Sequence, residues 1–288
     1  MFTLNQTLTL DEPWLEFKTL WVRQLAFCIC SPNILAAIPP ELSLKHHFQL
    51  HKHEIWRQHF QNYHSRLLYL DQHPQELIDF LHQLKSTRLG LRFEMLIWFW
   101  LLDQNYHCYQ LIGHSIQKIS GAKTLGELDF LLLNTETQKV EHWEVALKYY
   151  LAETHLNLGH WYGLNRSDTL FRKLNHFSQQ QFQFDEALQH PIQQRYAVLK
   201  GQLFLPIHAD LQPPHWVNQQ RRLGYWGHQM PAKCENFYRL QRSEWICPEM
   251  KPTSQTAQWW TEGLYLQKEL SLFYMFRNIS PLYASFGR

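Results

Sequence analysis

The chain has 288 residues, 45% of them hydrophobic, with 27 Lys and Arg against 25 Asp and Glu. This length admits one large domain or two modest ones, and the apolar share excludes a disordered chain. A net charge of +2 and a pI near 8.2 fall short of the basic footprint, pI above about 9, that argues nucleic-acid binding by itself.

The opening Met1–Gln6 stretch has no basic segment leading into an apolar one, so no signal peptide is expected. The longest apolar run, Met95–Leu102, is eight residues, far short of the roughly 18 of a spanning helix. A cytoplasmic protein with no membrane partner is expected. The five cysteines (Cys28, Cys30, Cys108, Cys234 and Cys247) are odd in number and lack paired zinc spacing. Reduced, buried thiols are the reading.

In chain order, a helix is predicted from about Glu12 to Leu35, ending at Ser31-Pro32-Asn33. Histidines crowd between Lys45 and His64, and another helix is predicted from Pro74 to Lys85. His47 and His51, four apart, would share a helix face and form a zinc-ligand pair, with His53 or His59 as a third ligand. Scattered surface histidines are the plainer reading of the same residues.

Arg88 to Asp103 reads as a strongly apolar helix and His107 to Ile119 as a strand. Gly126 to Lys148, GELDFLLLNTETQKVEHWEVALK, then reads as a β-hairpin turning at Asn134–Lys139. N-cap chemistry at Asn165–Asp168 opens a helix to about Gln179. Tyr196 to Leu205 is a strand. Beyond Leu211 the chain turns rich in Pro, Trp, Gln and Arg, with a strand predicted near Ser243–Cys247 and a helix near Ala257–Phe276. The order implies an α/β fold: a mixed central sheet with flanking helices. A helical N-terminal region (1–87), a core (88–210) and a C-terminal elaboration (211–288) should pack as one globular unit.

The hairpin carries the chemistry. Strand alternation puts Glu127 and Asp129 on one side, and Glu144, Ala146 and Lys148 on one side of the partner strand. A symmetric register sets Asp129 opposite Glu144, and like charges so placed destabilise a sheet unless a cation lies between them. Glu94, on an apolar helix among Leu91, Ile97 and Trp98, is a third acid needing a partner. Arg88 or Arg92 could supply one; so could a metal. Carboxylates suit Mg²⁺ or Mn²⁺ with waters and phosphate oxygens, and a nearby ammonium can orient a water.

A helix with a glutamate, then GELD on one strand and an acid and lysine on the next, resembles the PD-(D/E)XK nuclease superfamily over about residues 88–205. The whole chain also resembles an uncharacterised bacterial family. The superfamily resemblance implies a restriction-endonuclease-like core and a nuclease of DNA or RNA, with a dimer possible. Asp129 and Glu144 would hold Mg²⁺ or Mn²⁺, Glu94 and Glu127 would assist, and Lys148 would act on the attacking water. One departure stands out. The family lysine falls two residues after the glutamate, where this chain has Ala146. Lys148 lies two further along the same face, about 6.5–7 Å on. A second alignment puts Ala146 at the glutamate position and Lys148 in register. The alternative function is a catalytically inactive nucleic-acid-binding or interaction protein. Arg166, Arg172 and Lys173 on the following helix, and Arg221 and Arg222, are candidate nucleic-acid contacts, or else solvated surface.

Overall fold

The computed structural model describes residues 10–121, 123–231 and 235–278. Helices come first: a 3-10 turn at Pro13–Glu16, α1 (Leu20–Cys30), α2 (His53–Gln72), α3 (Gln75–His82) and α4 (Leu89–Leu102). The centre follows as β1 (Tyr109–Ser120), β2 (Lys123–Asn134), β3 (Lys139–Ala152), β4 (Trp161–Tyr162), α5 (Leu170–Gln179), the small β5 (Glu186–Ala187) and β6 (His190–Pro191) pair, and β7 (Gln194–Pro206). The chain then adds β8 (Gly224–Gly227), β9 (Phe237–Arg239), β10 (Gly263–Gln267) and β11 (Leu272–Phe276). Among the described residues, no helix is long and apolar enough to cross a membrane.

One mixed sheet runs β1-β2-β3-β7-β8-β11-β10-β9, with β4 on the end of β3. The first three strands form an antiparallel meander, and β3, β7, β8 and β11 are mutually parallel. Parallel strands need a crossover and cover on both faces, and here α5 lies in the crossover from β3 to β7. Residue parity on β3 sorts the two faces. Trp143, Leu147, Tyr149 and Leu151 pack with α1, α2 and α4, whereas Ala146, Tyr150 and Ala152 pack with α5 and the segment around Ile34–Phe48. The larger core takes residues from all three predicted regions, from Trp14 through Trp143 to Met275.

Three expectations change. His47 and His51 lie in an irregular segment before α2, so they share no helix face; His51 instead stacks on Tyr196 with ring centroids 3.9 Å apart. The segment near Ser243 is a 3-10 turn, Arg242–Trp245, whose start is closed by the Glu244 carboxylate accepting from Gln241 N at 2.8 Å. The helix expected over Ala257–Phe276 is the β10–β11 hairpin. Its apolar residues are needed on both faces of a covered sheet: Leu264 and Leu266 join the larger core while Tyr265 and Tyr274 join another. Ser271, at φ +48°, turns the chain where a helix would have continued. Cys28, Cys30, Cys108 and Cys247 are free thiols, the first two and the last buried; Cys234 and the Met1–Gln6 stretch lie outside the described residues.

Gly201 of β7 sits opposite Lys148 of β3 at φ +122°, and a Cβ there would lie 1.9 Å from the Lys148 carbonyl oxygen. Any side chain would push the two central strands apart. Gly201→Ala is expected to cost more than about 2 kcal/mol, read as a lower urea midpoint with an unchanged m-value.

Candidate active site where β2 leaves β3

The hairpin register is the symmetric one. Pairs run from Asn134↔Lys139 to Phe130↔Trp143, so Asp129 and Glu144 are next in line. At that point the ladder stops. The Val145 N–H donates to Asp129 Oδ2 at 2.8 Å, and the Asp129 N–H points to Glu144 Oε1 at 3.4 Å. Side-chain oxygens have replaced the backbone acceptors. Strand β2 continues outward with β1 alone, through Leu128↔Ile116 and Glu127↔Gln117, so the two strands part with both acids at the fork.

Glu144 is wholly buried. Its Oε1 faces His142 Nε2 at 2.7 Å and its Oε2 accepts from the Gln181 amide. Burial pushes Glu144 up to about 8, with Lys173 opposing. Burial, then the Glu144 charge, raises Asp129 well above the usual carboxylate range. Burial drives His142 down to about 3, so its imidazole is neutral; with Nε2–H turned to Glu144, the buried Nδ1 has no partner.

The cation closest in effect to both acids is Lys173, on α5. Leu170, Leu174 and Phe177 bury one stripe of this helix against the sheet, and Thr169 caps it by accepting from Arg172 N at 3.1 Å. Lys173 leaves the flank of that stripe. Its Nζ lies 3.9 Å from the Phe177 ring centre and donates to Gln181 Oε1 at 2.9 Å. Burial lowers it to about 8, with Glu144 and then Asp129 opposing. A chain thus runs Lys173, Gln181, Glu144, His142.

Lys148 extends the same face but is held elsewhere. Its Nζ donates to Asp168 Oδ2 at 2.7 Å, and the Tyr150 hydroxyl reaches the other oxygen at 3.4 Å. Lys148, Asp168, Arg172, Lys173 and His176 line an open cavity of about 610 Å³ along α5. The Arg172 guanidinium donates to the Ser167 carbonyl. Arg166 pairs with Glu153 and lies over the Tyr162 ring at 4.1 Å.

Glu94 faces β1, where His114 Nε2 is 2.8 Å from its Oε1 and the imidazole stacks between Trp98 and Phe130. It is near enough to push the Asp129 pKa up. Glu127 is exposed on the β1–β2 arm and accepts from Ser115 Oγ. Arg221 and Arg222 are not surface contacts beside the site. Arg221 is 6% exposed, donates to the Gly201 carbonyl at 2.9 Å and shares Glu12 with Arg222. A buried guanidinium needs such acceptors, and they tie both arginines to the opposite side of the sheet, where Arg221 lies over Phe27.

Among the described residues, no three His, Cys, Asp or Glu side chains are grouped to hold a metal ion. The donor set does fit a hard cation that takes one or two protein carboxylates and completes its shell with water and phosphate. The buried Glu144 and half-buried Asp129 carboxyl groups at one fork, each raised by burial, form such a pair. The Gln181 amide would have to release Glu144 Oε2 for that oxygen to ligate.

A family profile described as a domain of unknown function, DUF1853, matches residues 23–272. The chain belongs to that family. Comparison with curated proteins gives no match, and comparison with solved structures gives none. The profile covers α2 to α5, the fork and nearly all of the sheet, stopping within β11. The matched segment spans Glu94, Asp129, Glu144, Lys148 and Lys173.

Proposed function

We propose that the chain is a divalent-metal-dependent phosphodiesterase of nucleic acid, nuclease-like, with Asp129 and Glu144 as the metal ligands and Lys173 as the active-site ammonium. The observation that carries this reading is the meeting of a buried and a half-buried carboxyl group, both raised by burial, with a lowered lysine where β2 leaves β3. Perturbed groups of this kind concentrate at functional sites. The element order supports it as well: α4 bearing Glu94, then β2 bearing GELD, then β3 bearing Glu144, then α5 and the parallel β7. This is the arrangement that the resemblance to the PD-(D/E)XK superfamily implies.

When bound, Mg²⁺ or Mn²⁺ would lower the pKa of a coordinated water and offset charge on the phosphoryl group. The protein's share is positioning. His142 and Gln181 fix the Glu144 carboxylate, and Val145 N fixes Asp129. Lys173, lowered to about 8, can hold or give up a proton at Nζ near neutral pH. Arg172 and Lys148 along the cavity wall offer cations to a phosphate backbone.

The test is cleavage of labelled single- and double-stranded DNA and RNA with Mn²⁺, Mg²⁺ or EDTA, alongside Mn²⁺ binding by electron paramagnetic resonance. Metal-dependent cutting that Asp129→Asn abolishes, together with Mn²⁺ binding, is the expected result. Absence of Mn²⁺ binding would sink the proposal. The second reading, a nucleic-acid-binding protein without turnover, is favoured by one observation: both Glu144 oxygens already accept from protein donors. Binding of nucleic acid without cutting under either metal would select it.

A further inference from the structure

The other face of the sheet holds a cavity of about 250 Å³ between α1, the first turn of the chain and the C-terminal strands. Its charges do not balance. Arg23, Arg221, Arg222 and Lys268 line it against two acids, Glu12 and Glu249. Arg23, 4% exposed, donates to three backbone carbonyls: Pro248 at 2.9 Å, Leu15 at 2.6 Å and Phe17 at 2.9 Å. Glu12 is taken mainly by Arg222, at 2.7 Å, and meets Arg221 at only 3.4 Å. Burial pushes the Arg221 pKa down, the mark of a guanidinium short of compensation.

Polar groups here are also unspent. Gln202 and Tyr238, 2% and 3% exposed, both line the cavity, and the Gln202 amide nitrogen and Tyr238 hydroxyl have no hydrogen-bond partner. Buried polar atoms are satisfied in nearly all folded proteins, so two orphans on one cavity ask for an explanation. The remaining walls are largely apolar and include four aromatic rings, Trp14, Phe27, Trp245 and Phe273. Two buried guanidinium groups, unpaired donors and walls that carry aromatic rings are complementary to one kind of molecule.

We propose that this cavity is a binding site for a small organic anion that carries a flat ring, its carboxylate or phosphate facing Arg221 and Arg23 and its ring lying among Trp14, Phe27 and Trp245. The volume lies below the 300–1,000 Å³ range of drug-sized pockets, so it takes one ring and one acid group and excludes an oligonucleotide. The site is separate from the fork of β2 and β3, and it stands or falls independently of the nuclease reading.

Indole-3-acetate and phenyl phosphate test the carboxylate and phosphate forms. Each is titrated into the full chain, followed by tryptophan fluorescence and Tm, with neutral indole-3-acetamide and inorganic phosphate as controls. Saturable binding of at least one ring-bearing anion is expected, raising Tm by ~5 °C at hundred-fold excess over Kd. Tyr238→Phe and Gln202→Leu, which keep shape and lose the donors, should each weaken it ~3–10-fold. No saturable response to either anion up to about 10 mM would overturn the site. So would equal binding of the neutral amide or of inorganic phosphate, or full affinity in both variants.

Discussion

Lys173→Met is expected to lower metal-dependent cleavage by ~10²–10⁴-fold, while Lys148→Met lowers it by about ten-fold or less. The two lysines differ in what they face. Lys148 is neutralised by Asp168 at 2.7 Å and sits at the cavity mouth, where a lost cation weakens phosphate contact and its salt dependence. Lys173 feels the charges of both acids and reaches Glu144 through Gln181. Steady-state kinetics separate the roles: Lys173→Met should fall in kcat, Lys148→Met should rise in KM. Lys173→Met should also move the alkaline limb of the kcat profile, near pH 8 in the wild type. Equal effects of the two substitutions, or a larger one for Lys148, would return the catalytic role to Lys148 on the strand.

The difficulty of reading this from sequence is instructive. The fork was legible: a symmetric turn and period-two alternation place Asp129 against Glu144, and the pairs from Asn134↔Lys139 to Phe130↔Trp143 keep that register. Helix α4 was legible because a long apolar run between Arg88 and Asp103 has few other solutions. Lys173 was visible only as one cation among several on α5. What distinguishes it is its place beside Leu174 on the flank of the buried stripe, together with α5 crossing the face that carries residues 142, 144 and 146 of β3. That requires knowing which face the crossover helix covers. Gln181 lies just beyond the helix end, and no spacing rule singles it out. Arg221 bonds the carbonyl of Gly201, 20 residues earlier, a tertiary contact that a basic pair in a polar stretch does not signal. The C-terminal hairpin was misjudged because both its faces are buried, which erases the alternation that marks a half-exposed strand.

Glu144→Gln, measured without metal in EDTA, should stabilise the protein, and by more at pH 8 than at pH 5. Burial raises the Glu144 carboxyl from the ordinary 4.5 to about 8 in the folded chain. Below pH 4.5 the group is protonated in both states and contributes no penalty. As pH rises from 4.5 towards 8, the unfolded chain loses this proton and the folded chain retains it, so stability falls across that window. Asp129 is raised for the same reason and adds the same sign. Lys173 is lowered from 10.5 to about 8, so its contribution is present above pH 10.5 and is lost as pH falls through 8. It therefore opposes little of the Glu144 effect between pH 5 and 7. A neutral amide at 144 removes the carboxyl term and can keep an acceptor for His142, while the Gln181 amide can rotate to suit its new neighbour. The advantage of Glu144→Gln over wild type should grow by up to about 3 kcal/mol between pH 5 and pH 8, read from urea midpoints at the two pH values. The same substitution should abolish Mn²⁺-dependent cleavage. A protein that gains stability when it loses these acids keeps them at a cost, as expected where charge is held for binding and catalysis and not for folding. If Glu144→Gln instead destabilises the chain equally at both pH values, Glu144 is a structural carboxyl satisfied by His142 and Gln181, and the fork is not a site.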